Sequence, residues 1–109
     1  MDWTKEFQAA VTMCDKNGIV IEMNEKAAFT FADDGGYRLI GKKLFECHTD
    51  ESNEKIKKIM NEKKPNVYTI EKNGIKKLIY QSPWFENGEM KGLVELSLEI
   101  PFEMPHFIR

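Results

Sequence analysis

The run "NVYTIEKNGIKKLIYQSPWFENGEMKGLVELSLEI", residues 66–100, decides the fold. It holds three β-rich segments, 66–72, 75–85 and 89–100, parted by Asn73-Gly74 and Asn87-Gly88. Asn-Gly readily takes the positive φ that both central residues of a two-residue hairpin turn need, and that turn matches the natural twist of paired strands. The segments therefore predict a three-stranded antiparallel meander. In its last strand Val94, Leu96, Leu98 and Ile100 alternate with Leu93, Glu95, Ser97 and Glu99, which predicts the first set on the core face and the second on the outer face.

Working back from the meander, "DESNEKIKKIMNEKKP" (50–65) places Ile56, Ile59 and Met60 at i, i+3 and i+4, one face of a helix that Pro65 ends. Thr49, Asp50 or Ser52 is its expected cap. Before it, "AVTMCDKNGIVIEMN" (10–24) reads as two strands, 10–14 and 19–23, joined by a turn over Asp15-Lys16-Asn17-Gly18. Asn24 is placed to cap a helix from Glu25 carrying Ala27, Ala28 and Phe31, and Gly35-Gly36 stops it. Leu39, Ile40, Leu44 and Phe45 are expected to anchor the irregular stretch that follows. Trp3 and Phe7, four apart, predict a short N-terminal helix capped by Asp2. The order gives an α+β fold: five antiparallel strands with a helical crossover on one face. One domain is expected over 1–109, with a cap helix at 1–9, a core at 10–100 and a tail at 101–109.

Composition narrows the function classes. Sixteen basic and eighteen acidic residues leave a net charge of -2, so no global field favours nucleic acid or an anionic membrane. The lysines at 55, 57, 58, 63 and 64 are interleaved with Glu54 and Glu62, the pattern of a solvated helix face. No run of about 20 apolar residues and no signal peptide is present, so a cytoplasmic location is expected. The two cysteines, Cys14 and Cys47, are expected as reduced thiols.

With the element order in hand, four pieces carry a family resemblance: "DKNG" (15–18) followed by Asn24 and Ala27, "GYRLIG" (36–41), "NGEMKG" (87–92) and Glu99-Ile100. In this order and spacing the chain resembles the PAS domain family of sensor and interaction modules. The stretch Tyr37–Gly41 is shorter than that family's pattern, and Glu99-Ile100-Pro101 replaces its usual Asp-Ile-Thr, so a helix running directly out of the last strand is disfavoured.

The resemblance implies a ligand cleft between sheet and helices, for which the candidates are Met13, Met23, Phe29, Phe45, His48, Ile56, Met60, Tyr80, Trp84 and Leu96. A filled core is the competing reading of those residues. Haem held by His48 is the alternative cofactor that the resemblance admits; flavin photochemistry is disfavoured because "FECHTD" lacks the cysteine motif it needs. A metal site would have to join Cys47 and His48 with Cys14 and His106, and no ligand spacing supports one. Adjacent residues on a helix diverge by about 100°, which argues against a Cys47-His48 catalytic pair. The outer face also carries apolar residues, Leu93 among them, so Trp3, Phe7 and Leu93 are the expected contacts of a homodimer. The expectation is a non-enzymatic sensory module that binds a small ligand or acts in trans on a separate signalling protein. The tail, with Phe102, Met104 and Phe107, is expected to lie on a partner or on the domain's own surface.

Overall fold

The computed structural model of the chain describes residues 2–43 and 50–109, with side chains from 54 onward in the second span. Expectations resting on Leu44, Phe45, Cys47, His48 and Thr49, and on the side chains of Asp50 and Ser52, lie outside the described residues. Strands β1 (Ala10–Asp15) and β2 (Val20–Met23) form the first hairpin. Helix α1 (Glu25–Thr30), two 3-10 turns (Ala32–Asp34 and Gly36–Leu39) and helix α2 (Asp50–Glu62) make up the crossover. The meander is β3 (Asn66–Lys72), β4 (Ile75–Glu86) and β5 (Glu89–Ile100). All pairings are antiparallel and the sheet order is β2-β1-β5-β4-β3, so the N-terminal hairpin closes onto the last strand. The architecture is α+β, as the sequence predicts.

Both Asn-Gly turns form, with Asn73, Gly74, Asn87 and Gly88 all at positive φ. Helix α2 ends as Lys63 enters the left-handed region and its N–H reaches the Ile59 carbonyl at 2.8 Å. The α2 stripe Ile56, Ile59 and Met60 packs on Cys14 and Leu93, with Met90 against the cluster. Ile56 and Leu93 are each 1% exposed, and burial of such a side chain contributes roughly 2–3 kcal/mol.

That packing reverses the expected faces of β5. Register pairs Leu93 with Cys14 and Pro83, and directly paired residues share a face, so Leu93 points toward α2. Thr12, Glu95, Gln81, Ile79 and Asn66 follow it onto the helix side. Val94, Leu96, Leu98 and Ile100 lie on the opposite face with Val11, Met13, Leu78, Tyr80 and Val67. Alternation separates the two sets but does not say which set meets the helices. Leu93 therefore belongs to the core and not to an outer contact surface.

The predicted N-terminal helix is instead a turn. Asp2 accepts hydrogen bonds from both the backbone N–H and the hydroxyl of Thr4, a local arrangement that competes with a helix. Further along, the Thr4, Phe7 and Ala9 carbonyls turn toward the side-chain amide of Asn24, which donates to them at 2.9, 3.4 and 2.7 Å. Trp3 and Phe7 still meet edge to face, with ring centroids 5.3 Å apart.

Candidate functional site

Among the described residues, a cleft opens on the helix side of β1, β2 and β5, beside the cluster that α2 makes with the sheet. Thr12, Cys14, Leu93 and Glu95 form its floor, Val20 and Met23 one wall, and Phe31, Asp34 and Leu39 the roof. Lys42 and Lys43 stand exposed at the rim. Local sequence sets each of these parts. Asn24 caps α1 through a 2.9 Å bond from the Ala27 N–H to its Oδ1, which fixes the direction in which the chain leaves β2. Gly35 and Gly36, at φ 121° and 56°, then reverse the chain so that Phe31 and Leu39 face the sheet. Beyond them the chain docks on β2: the Val20 N–H bonds the Lys42 carbonyl and the Gly41 N–H bonds the Val20 carbonyl, at 2.9 and 2.8 Å.

The cleft volume is about 140 Å³ and most of its lining is apolar. A hydrogen-bonded chain of polar side chains runs along the sheet to the cleft floor. Asn66 Nδ2 donates to Gln81 Oε1 at 3.1 Å, and Gln81 Nε2 donates to Glu95 Oε2 at 2.9 Å. Gln81 is 5% exposed, so both ends of its amide are committed where water does not reach. The chain ends on a carboxylate that lines the cleft. Alternation along β5 alone assigns Glu95 to the outer face; its cross-strand pairing with Gln81 brings it to the helix side, and that pairing is legible only from the register.

Of the expected cleft residues, Met23 lines the cavity, whereas Ile56 and Met60 fill the neighbouring core. Met13, Tyr80 and Leu96 lie on the opposite face because the register of β5 sends them there. Phe29 is 79% exposed, since α1 turns Ala27 and not Phe29 toward the interior. Trp84 follows Tyr80 and Ser82 along the outer side of β4 and spends its indole N–H on the Cys14 carbonyl at 3.0 Å. Phe45 and His48 lie outside the described residues.

Cys14 sits on the cleft floor as a free, buried thiol. Burial pushes its pKa up, a Leu93 backbone hydrogen bond opposes the rise, and the nearby carboxylates of Asp15 and Glu95 add to it. The thiol stays protonated at neutral pH, the opposite of an activated nucleophile. A folded-state pKa above the unfolded value gives stability that is full below about pH 8.5 and is lost as pH rises toward the folded-state value. Relative to Cys14→Val, the native protein is expected to lose urea stability as the pH rises above the ordinary thiol pKa. Equal pH profiles for the two proteins would contradict this assignment.

Among the described residues no cluster of three or more His, Cys, Asp or Glu is placed to hold a metal ion. Nor do the described residues fit haem. The cleft is close to the roughly 150 Å³ that admits benzene, far short of a porphyrin, and among the described residues its lining offers no imidazole, only the protonated Cys14 thiol and the Met23 thioether. No described helix is long and apolar enough to cross a membrane.

Comparison with protein-family models and with curated proteins finds no match. Solved structures do match. The Aer2 receptor from Vibrio cholerae, described as a dual PAS-heme oxygen sensor, superposes with a TM-score of 0.66 at 18% identity, over 85% of this chain and 95% of that one. A PAS domain from Colwellia psychrerythraea gives 0.61 at 19% identity, over 89% and 90%. The PAS domain of nitrogen regulation protein NR(II) from Vibrio parahaemolyticus gives 0.62 at 14% identity, over 89% and 94%. With five antiparallel strands in the order β2-β1-β5-β4-β3 and a helical crossover on one face, the chain has the PAS-like fold.

Proposed function

We propose that the chain is a non-enzymatic sensory module that binds a small molecule in the cleft and passes the signal, as a homodimer, to a separate protein. The observation that carries this reading is the cleft itself: a cavity of about 140 Å³, largely apolar, with the oriented Glu95 carboxylate on its floor, within a PAS-like fold. A cavity with few, well-placed polar groups is the usual form of a small-ligand site. The protonated Cys14 thiol agrees with a binding role and offers no nucleophile. The test is methyl NMR on methionine-labelled protein against a library of ring-sized compounds. Binders are expected to shift Met23 and leave the tail methionine Met104 unmoved; shifts spread evenly over both would contradict a cleft site.

The dimer part of the proposal draws on the sheet face away from the helices. Val94, Leu96, Leu98, Met13 and Tyr80 make that face apolar, and Tyr80 and Val67 are 37% and 49% exposed. Trp3 and Phe7, 64% and 44% exposed, extend the apolar surface on the N-terminal turn. Two copies packed through these faces would cover what a lone chain leaves in water. Leu96→Glu is expected to convert the dimer to a monomer with little loss of fold, as read by light scattering at tens of micromolar. A wild-type monomer under the same conditions would defeat this part.

A further inference from the structure

The floor of the cleft has a chemical preference. We infer that the cleft selects a ring-sized molecule carrying a protonated amine, with the Glu95 carboxylate as its acceptor. This rests on the small-molecule reading of the cleft given above.

The direction of the polar chain decides the matter. Asn66 gives a proton to Gln81 and Gln81 gives one to Glu95, so each amide is oriented and the last group is an acceptor with capacity left over. One bond from Gln81 engages Oε2; the carboxylate has a second oxygen and further lone pairs. Thr12, its direct cross-strand partner, also lines the cleft. Among the described residues no ion pair is formed by Glu95. A carboxylate on an apolar floor with one neutral donor gains most from a charged donor, because a charge-assisted hydrogen bond is roughly twice as strong as a neutral one.

The remaining charges do not reverse the choice. Lys42 and Lys43 offer positive charge to an anion, but both are exposed at the rim, where water and salt screen them. Asp34, also exposed, carries the same sign as Glu95. Glu95 is partly buried, so its field is the less screened one inside the cavity. Size sets the other limit: about 140 Å³ admits a single ring with a short side arm.

Three probes of one shape separate the alternatives: benzylammonium, benzyl alcohol and benzoate, titrated at pH 7 into the full chain with the Met23 methyl signal as readout. Benzylammonium is expected to bind most tightly. Glu95→Gln, whose side-chain carbonyl still accepts from Gln81, is expected to weaken benzylammonium by about tenfold or more and benzyl alcohol by less than about threefold. Benzoate binding as well as benzylammonium in the wild type, or equal weakening of all probes by Glu95→Gln, overturns the inference while leaving a small-molecule cleft in place. Silence of the Met23 signal with all three probes at millimolar concentration overturns both.

Discussion

Asn24→Ala is expected to lower the melting temperature by roughly 12–24 °C, the size of effect that follows when about 3 kcal/mol is lost from a domain near 100 residues. Asn24 is 4% exposed, and its side chain ties three segments together. Its Oδ1 accepts from the Ala27 N–H at the start of α1 and from the Val11 N–H in β1, both at 2.9 Å. Its Nδ2 donates to the Ala9, Thr4 and Phe7 carbonyls in the N-terminal turn. Alanine removes the helix cap, costing about 1 kcal/mol, and leaves buried backbone groups without partners at about 1–3 kcal/mol each where water cannot enter. Asn24→Asp sharpens the test. Aspartate keeps both bonds to Oδ1 but turns a negative charge on the carbonyls that the amide held. If thermal melts show that aspartate restores most of the lost stability, Asn24 is only a helix cap and its role as a junction is wrong.

Gly92→Ala is the second severe change, expected to cost about 4 kcal/mol or more and to leave the protein largely unfolded. Strand β1 passes so close to Gly92 that an added Cβ would stand 2.8 Å from Asp15 Cα and nearer still to the Cys14 carbonyl oxygen. The obstacle is backbone, which cannot rotate aside, so β1 and β5 would have to separate at the Asp15–Gly92 pair. The Trp84 indole bond to the Cys14 carbonyl would be disturbed with them, so its fluorescence reports the change. Gly74→Ala provides the comparison. Gly74 lies at φ 78° with open space around it, so only the left-handed conformation is penalised, by about 1–2 kcal/mol. Similar unfolding midpoints for the two variants would show that close approach at Gly92 is not the controlling feature.

Much of this framework is visible in the sequence because it depends on short-range chemistry. The Asn-Gly turns, the Asn24 cap and the α2 stripe each follow from a few adjacent residues with one favourable conformation, whereas α1 ends at Thr30, ahead of the Gly35-Gly36 pair expected to stop it, and leaves Phe31 as its C-cap. The faces of the sheet do not follow from adjacent residues. Both sets of β5 residues contain apolar side chains, and the set that meets α2 is the more polar one, with Glu95 and Ser97 beside Leu93. A strand's period of two fixes partners on a face, while the choice of face depends on helices distant in sequence. The same gap explains the cleft: its apolar part includes Met23, named from sequence, but Glu95 acquires its place only through Gln81 on another strand. The N-terminal helix failed for a related reason. A segment this short has little helical stability of its own, and Asn24, some twenty residues away, takes up its carbonyls.

In the proposed arrangement the helix face of the sheet holds a small molecule while the opposite face joins two copies. Native mass spectrometry of the purified chain with benzylammonium tests both faces in one spectrum. The expected spectrum shows a species of twice the 12.7 kDa chain mass that takes up one benzylammonium per chain, with Glu95→Gln keeping the dimer and losing the adduct. A 12.7 kDa monomer that takes up no probe, in the native protein as in the variant, would contradict the arrangement.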